Sequence, residues 1–442
     1  KYSSPVPRYT SYPTAPHFHD GVSGTDYAQW LETADPAGIL SLYFHIPYCD
    51  TLCWFCGCHT KMTRRYDPVA AYLPSLHDEI AQVSEALPSG PRVNHIHWGG
   101  GSPTILEPED IRRLAMKTYE HFNVGPQAEF AVEIDPRGFD PERIRVLAEV
   151  GVTRASIGVQ DFDPKVQSAI NRRQSFEETR QVVAWLRDAG IAAVNLDIMY
   201  GLPHQTTNTI VRTVEQVIAL APDRIALFGY GHVPWMKRHQ SMIDEAALPD
   251  VRQRFAQASR AAELLTAAGY RTIGLDHFAR PEDTLAQAAR DGTLRRNFQG
   301  YTADAADALL GFGASAIGSL PQGYCQNTAP ISDYRNRVAD KGLATVRGIA
   351  LGPDDKMRRW VIERLMCDLA LSSRALRARF GQNAECLLGG SIDLDGYEHD
   401  DLIARGDDGF RVTAAGRPFI RAICAEFDAY LKRDRARHSV AV

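Results

Sequence analysis

The chain has 442 residues, a net charge of −5 at neutral pH, 44% apolar residues and 23% charged ones. This length accommodates one large α/β domain and a smaller companion, and the composition is that of an ordinary globular fold. The acidic balance excludes a global basic field for nucleic acid, and no stretch of about 18 apolar residues is available to span a membrane. Residues 1–38 carry Pro5, Pro7, Pro13 and Pro16 and read as an extended arm followed by a short helix. Apolar, β-prone runs follow at 39–46, 95–100, 128–134, 154–160, 193–200 and 224–230. Helical spacing fills the intervals at 69–83, 108–122, 141–150, 176–189 and 208–220. This alternation predicts a parallel sheet with crossover helices, and six such units make an incomplete (β/α)6 TIM-like barrel. Double winding is the alternative, but no G-x-G-x-x-G follows the first strand. Beyond about residue 330 the pattern changes. Met357, Val361, Leu365 and Leu369 recur at helical spacing, 409–413 reads as a short strand and 418–431 as a helix. The expected layout is an arm at 1–38, the barrel with its extension at 39–330 and a small, mainly helical C-terminal domain at 331–442.

The cysteines carry the chemistry. Cys49, Cys53, Cys56 and Cys58 fall within ten residues, directly after the first predicted strand. Three thiolates at C-x3-C-x2-C spacing can hold three corners of a [4Fe–4S] cluster, and the fourth iron then lacks a protein ligand unless Cys58 reaches it. Electron-transfer clusters take four cysteines, so an open iron points to chemistry on a bound molecule. A zinc knuckle is the weaker reading, because it pairs C-x2-4-C with a second close pair. Cys325, Cys367, Cys386 and Cys424 are instead scattered singly. A disulfide framework does not suit a long chain whose start, Lys-Tyr-Ser-Ser-Pro, has no secretory layout. Free thiols and a reducible cluster fit the cytoplasm. No initiating Met is present, so residues upstream are expected.

Reactive groups of barrels gather at the C-terminal ends of strands. Besides the cysteine loop, Gly99-Gly100-Gly101-Ser102, Glu133, Gln160 and Asp197 meet this condition. The glycines permit close backbone approach to a ligand, although such a run alone often marks only a turn. Glu133-Ile134-Asp135-Pro136-Arg137 could equally form a barrel-end salt bridge. The basic residues in 431–438 and the winged-helix-like strand and helix raise DNA binding, but cations at a helix C-terminus complement its dipole and are solvated.

The cysteine loop resembles that of radical S-adenosylmethionine (SAM) enzymes. Cys58 and the preceding Tyr43-Phe44-His45-Ile46-Pro47 resemble one branch, the oxygen-independent coproporphyrinogen III oxidases. So do Pro7-Arg8-Tyr9-Thr10-Ser11-Tyr12-Pro13, the stretch 274–281, Leu294-Arg295-Arg296-Asn297-Phe298-Gln299-Gly300-Tyr301-Thr302 and the stretch 310–317. The resemblance implies cluster ligation by Cys49, Cys53 and Cys56, with Cys58 needed for activity but not for ligation. It implies two SAM molecules contacted by Tyr43, Phe55, Gly100, Gly101, Ser102, Glu133, Gln160, Arg172, Asp197, Gly231 and Ile317. Ser102 replaces a usual Thr and Gly231 a frequent Ala. Arg8, Arg295, Arg296 and Lys237 become candidates for substrate carboxylates, with Tyr301 beside them. The implied reaction converts coproporphyrinogen III to protoporphyrinogen IX through a SAM-derived radical. The implied partners are that substrate and a low-potential donor such as flavodoxin or ferredoxin, with the chain acting as a monomer. A haem-binding chaperone and a haem-modifying enzyme on the same fold are the alternatives. The chaperone relatives typically lack the fourth cysteine and the 296–302 stretch.

Overall fold

A computed structural model gives the fold and describes residues 2, 5–389 and 392–431. Six parallel strands lie side by side in chain order: β1 (Ile39–Ile46), β2 (Arg92–Gly100), β3 (Asn123–Ile134), β4 (Arg154–Gln160), β5 (Ala193–Tyr200) and β6 (Arg224–Gly229). Their residues alternate. Leu42, Phe44 and Ile46 of β1, and Val194, Leu196 and Ile198 of β5, are fully buried in the main core shared with the helices. The intervening Tyr43 and His45, and Asn195 and Asp197, face the other way. Helices pack over the apolar side, so the polar side becomes the interior of an incomplete barrel. Helix starts follow local chemistry: Ser175 and Glu178 form a capping box for Phe176–Asp188, and Asp140 caps Pro141–Glu149.

The sheet is wider than six strands. Ala308–Phe312 pairs in parallel with β1, and Ile317–Leu320, Gly323–Asn327 and Thr345–Ala350 continue antiparallel from it. On the other edge, His277–Ala279 and Arg271–Ile273 add to β6. The sheet therefore runs past the expected boundary at residue 330, because backbone pairing carries on to Ala350. The helix expected at 69–83 divides into Asp67–Ala70 and Leu73–Ala86. Pro74 lacks the N–H that a continuous helix would need there. The helix expected over 418–431 stops at Ala425. Asp428 accepts hydrogen bonds from the N–H groups of Tyr430 and Leu431 and draws the chain out of helical geometry. Residues 432–438 of the basic tail lie outside the described residues.

A second core forms around Pro353–Asp368 and a three-stranded sheet of Ala370–Ser372, Ile403–Gly406 and Gly409–Val412. Tyr9 and Tyr12 of the arm are part of this core. The arm and the C-terminal segment up to Phe427 thus share one core. Among the described residues no helix is long and apolar enough to cross a membrane.

Glu79 pins the β1 side of the sheet. Its buried carboxylate accepts from the Gly313 N–H (2.6 Å), Asn327 (2.6 Å) and the Tyr334 hydroxyl (2.7 Å). Burial pushes it up to about 7 despite these bonds. A carboxyl raised in the folded state stabilises fully below its unfolded pKa, and that contribution is lost as pH rises through about 7. Unfolding free energy of the wild type should therefore fall, relative to Glu79→Gln, by on the order of 3 kcal/mol between pH 4.5 and pH 8. Parallel slopes in urea titrations of the two proteins would refute this.

Candidate active site at the C-terminal ends of the strands

The cysteine loop leaves β1 after Ile46. Cys53 is buried, Cys49 and Cys56 are half-buried and Cys58 is exposed. The loop has little internal pairing, a turn from Cys56 N–H to Cys53 O (3.2 Å) apart. Its carbonyls are held from elsewhere. Asn171 donates to Leu52 O (2.9 Å), Gln240 to Phe55 O (2.9 Å), His239 to Cys56 O (2.7 Å) and Lys237 to Cys58 O (3.1 Å). His45 holds the far end. Burial keeps its imidazole neutral, its Nε2–H donates to His59 O (2.8 Å), and Nδ1 accepts the Tyr43 hydroxyl (3.0 Å).

The thiols sit in a field suited to anionic sulfur. Arg137 and Arg172 each approach Cys53 Sγ at 3.5 Å, and Thr60 donates to Cys49 Sγ (3.2 Å). A hydrogen bond from the Cys58 thiol draws Cys56 down to about 7, whereas burial pushes Cys49 up to about 12. A thiolate at Cys49 therefore needs a cationic partner, as iron supplies. Among the described residues no three His, Cys, Asp or Glu side chains are grouped to hold a metal ion. Thiolates that each take a different iron of a cluster do not require such convergence, so the donor set fits a cluster better than a single zinc.

The glycine run closes β2 against the same loop. Gly101 N–H donates to Ile46 O (2.8 Å) and Ser102 N–H to Tyr48 O (2.7 Å). Gly100 has φ +106, and a Cβ there would fall 2.5 Å from His45 Nδ1, so only glycine fits. Its N–H donates to Glu133 Oε2 (3.1 Å), and His97 bonds Oε1 (3.2 Å). Burial opposes ionisation of Glu133, but these bonds outweigh it and hold the carboxyl below its usual range. Asp197 contrasts with it. Burial raises it to about 6, even though Asn195 donates to it (2.8 Å). Two buried carboxylates thus face one interior with different appetites for a cation or hydroxyl. Asn195 Oδ1 and the Arg172 Nε–H are buried without partners, one acceptor and one donor that a polar ligand would satisfy.

Most of the predicted residues converge here. Gln160 ends β4 at φ +68, where the register with β5 shifts and turns the chain. Phe55 packs with Met199 and Tyr230 near the ends of β5 and β6, and Gly231 follows them. Ile317 lies across β1: Tyr43 pairs with Gly311, which is pressed against Ile317. Arg172 is engaged by protein groups, bonding Gly158 O (2.6 Å) and Asp135 (3.2 and 3.3 Å). Asp135 also pairs with Arg137 at 2.6 Å, so the barrel-end salt bridge exists and reaches the cysteines through both arginines. The Tyr301 hydroxyl is engaged by the protein itself. It accepts from Leu275 N–H (2.9 Å) and donates to Met366 O (2.8 Å), and the Tyr301 ring floors the Arg296 guanidinium at 4.3 Å. Arg295 turns away to Glu363 (3.2 Å). Sequence reasoning missed His239 and Gln240, which lie in an aperiodic loop with no local signature.

Comparison with known proteins agrees with this geometry. Residues 43–217 match the radical SAM superfamily, and 351–419 match the HemN C-terminal domain. The chain is 48% identical over 437 residues to oxygen-independent coproporphyrinogen III oxidase of Bradyrhizobium diazoefficiens, covering 99% of this chain and 97% of that one. It is 45% identical to the Paracoccus denitrificans protein of the same name, covering 100% and 97%. The solved structure of coproporphyrinogen III oxidase from Escherichia coli, described as a radical SAM enzyme, superposes with a TM-score of 0.92 at 38% identity, covering 96% and 97%.

Cys49→Ala, Cys53→Ala and Cys56→Ala should each abolish the broad visible absorbance of anaerobically prepared protein, whereas Cys58→Ala should keep it. An iron requirement for Cys58 in place of one of the others would refute the ligand set. Asp197→Ala should weaken SAM binding by about 10–150-fold at unchanged iron content, the effect of losing a hydrogen bond to a charged group. Because Asp197 ionises near pH 6, wild-type SAM affinity should fall below that pH and the affinity of Asp197→Asn should not. Calorimetry across pH 5–8 distinguishes the two profiles.

Proposed function

This chain belongs to the oxygen-independent coproporphyrinogen III oxidases of the radical SAM superfamily, and we propose on that footing how its residues divide the work. The reaction is the oxygen-independent removal of two propionate carboxyls from coproporphyrinogen III, leaving vinyls and giving protoporphyrinogen IX. When bound, the reduced [4Fe–4S] cluster and SAM supply a radical that takes hydrogen from a propionate side chain.

Cys49, Cys53 and Cys56 hold the cluster at the end of β1, and Cys58 at the exposed rim serves turnover. The backbone of Gly100 and Gly101, with Ser102, takes the amino end of SAM. Glu133 and Asp197 take its charged or hydroxyl groups across the barrel. Tyr43, Gln160, Arg172, Phe55, Gly231 and Ile317 complete the binding surface. Their spread from beyond β1 to the end of β6 supports room for two SAM molecules. The loop carrying Lys237, His239 and Gln240 covers the cysteine loop and keeps water from it. Arg8 and Arg296 meet substrate carboxylates, and Tyr301 positions Arg296. The electron enters from a low-potential donor such as flavodoxin or ferredoxin. The chain works as a monomer in the cytoplasm, where a reducing compartment keeps its eight cysteines out of disulfides.

The observation that carries this reading is the four-cysteine loop at the end of the first barrel strand, in a chain related over nearly its whole length to oxidases of one name. Anaerobic turnover of reconstituted enzyme with coproporphyrinogen III, followed by mass analysis, should show loss of two carboxyl groups. Consumption of haem instead would overturn it. Arg8→Gln should lower the apparent affinity for coproporphyrinogen III by about 10–150-fold. Its reductive cleavage of SAM without tetrapyrrole should persist, and equal loss of both activities in a folded variant would assign Arg8 to the fold.

A further inference from the structure

Five arginines meet around a cavity of about 260 Å³ on the flank of the barrel: Arg8, Arg254, Arg296, Arg417 and Arg421, with Asp276 the one carboxylate among the lining residues. They come from four distant segments. Arg8 belongs to the arm, Arg254 to the helix Val251–Ala267, Arg296 to the hairpin of Arg295–Asn297 and Gly300–Thr302, and the last two to the C-terminal core. Phe228, Phe255, Leu275 and Pro418 supply an apolar lining between them. Such convergence is not ordinary surface decoration. The Arg296 side chain is 5% exposed, and its Nη1 is buried without a hydrogen bond. Its other nitrogens are fixed by Tyr9 O (3.2 Å) and Arg8 O (3.4 Å). Arg8 is tied to Gly229 O (3.0 Å) and Arg254 to Tyr230 O (2.8 Å), neutral carbonyls that leave Asp276 as the only carboxylate in the pocket to offset five cations. Asp276 is shared with His277 at 2.8 Å and lies 3.9 Å from Arg296. Burial first, then Arg8 and Arg296, draws Arg421 down to about 10, as expected where like charges are crowded out of water. A cluster of this kind is stabilised by an anion with several oxygens, and guanidinium forks match carboxylates.

The cavity's shape narrows the ligand. It is below the usual volume of a site that encloses a drug-sized molecule, so it suits the edge of a larger one. Two of its lining residues, Tyr200 and Tyr230, lie at the C-terminal ends of β5 and β6. His277, next to Asp276, pairs across the sheet with Ala226, whose other neighbour is Asp197 of β5. The pocket therefore adjoins the SAM residues without containing any of them.

We propose that this pocket binds paired carboxylates on an apolar frame, the propionate-bearing edge of a tetrapyrrole, with Arg254, Arg417 and Arg421 joining Arg8 and Arg296 as its ligands. The inference rests on the functional reading above for the identity of the frame. The carboxylates come either from the substrate, as the propionates that do not react, or from a second tetrapyrrole held beside it.

The test uses the reconstituted enzyme, with coproporphyrin III as a fluorescent binding probe and coproporphyrinogen III as the turnover substrate. Arg417→Gln with Arg421→Gln should weaken probe binding at least tenfold, with SAM cleavage in the absence of tetrapyrrole unchanged. A matching rise in KM at nearly constant kcat assigns the pocket to the substrate's own propionates. Lost probe binding at unchanged KM assigns it to a second tetrapyrrole. Unchanged probe binding and KM in a variant with wild-type melting overturns the proposal. Should the double variant not fold, the half-exposed Arg417→Gln alone is read the same way, and Arg417→Lys should recover part of the loss. A wild type that fails to convert coproporphyrinogen III but binds the probe through these arginines refutes the functional reading and leaves the pocket standing.

Discussion

The backbone carbonyls of the cysteine loop are held by side chains from outside it, and the site depends on that arrangement. A loop with four cysteines in ten residues and almost no internal hydrogen bonding has no geometry of its own. Asn171 reaches it from the segment between β4 and the helix Phe176–Asp188, and Lys237, His239 and Gln240 from the segment after β6. The loop is therefore shaped only when the barrel is complete from β1 to β6. His45 makes the same point from below. Being buried and neutral, it can donate to His59 O and accept from Tyr43, so one imidazole joins strand, loop and interior.

The interior works through unequal carboxylates. Glu133 is stabilised as an anion by His97 and the Gly100 N–H, and it is in turn placed by the glycine run that needs to pass close to it. Asp197 accepts from Asn195 and Ser156, but burial outweighs these neutral donors and raises it. A cationic ligand arriving between them would find one charge already set and one that its own charge completes. On the cysteine side, Arg172 and Arg137 neutralise Asp135 and still reach Cys53.

The substrate side is built differently. The arm and the C-terminal domain share one core through Tyr9 and Tyr12, and that core brings Arg417 and Arg421 to the flank where Arg8 and Arg296 already lie. Tyr9 and Tyr301 are structural partners here: one anchors the arm to Asp428, the other floors a guanidinium. The arginine pocket and the cysteine loop thus lean on separate cores.

How much of this was legible beforehand follows from where the information is stored. Strand alternation is local, so β1, β4 and β5 were bounded in the sequence as they are in the structure. The cysteine spacing is local too, and its position after β1 placed the chemistry. Glu133, Gln160 and Asp197 were singled out because strand ends mark the reactive rim of a barrel. The edge strand Thr345–Ala350 was not found, since a short run interrupted by glycine is made a strand only by its pairing with Gly323–Asn327. The direction of Tyr301 and Arg295 could not be read either, because adjacent residues on a strand face opposite sides and only packing against Pro353–Asp368 chose between them. The sequence by itself determined the barrel, the cysteine loop and the glycine and carboxylate positions, all set by spacing within one segment. The tertiary structure alone decided which arginines meet, since residues 8, 254, 296, 417 and 421 share no period and are joined only where two cores close on one another.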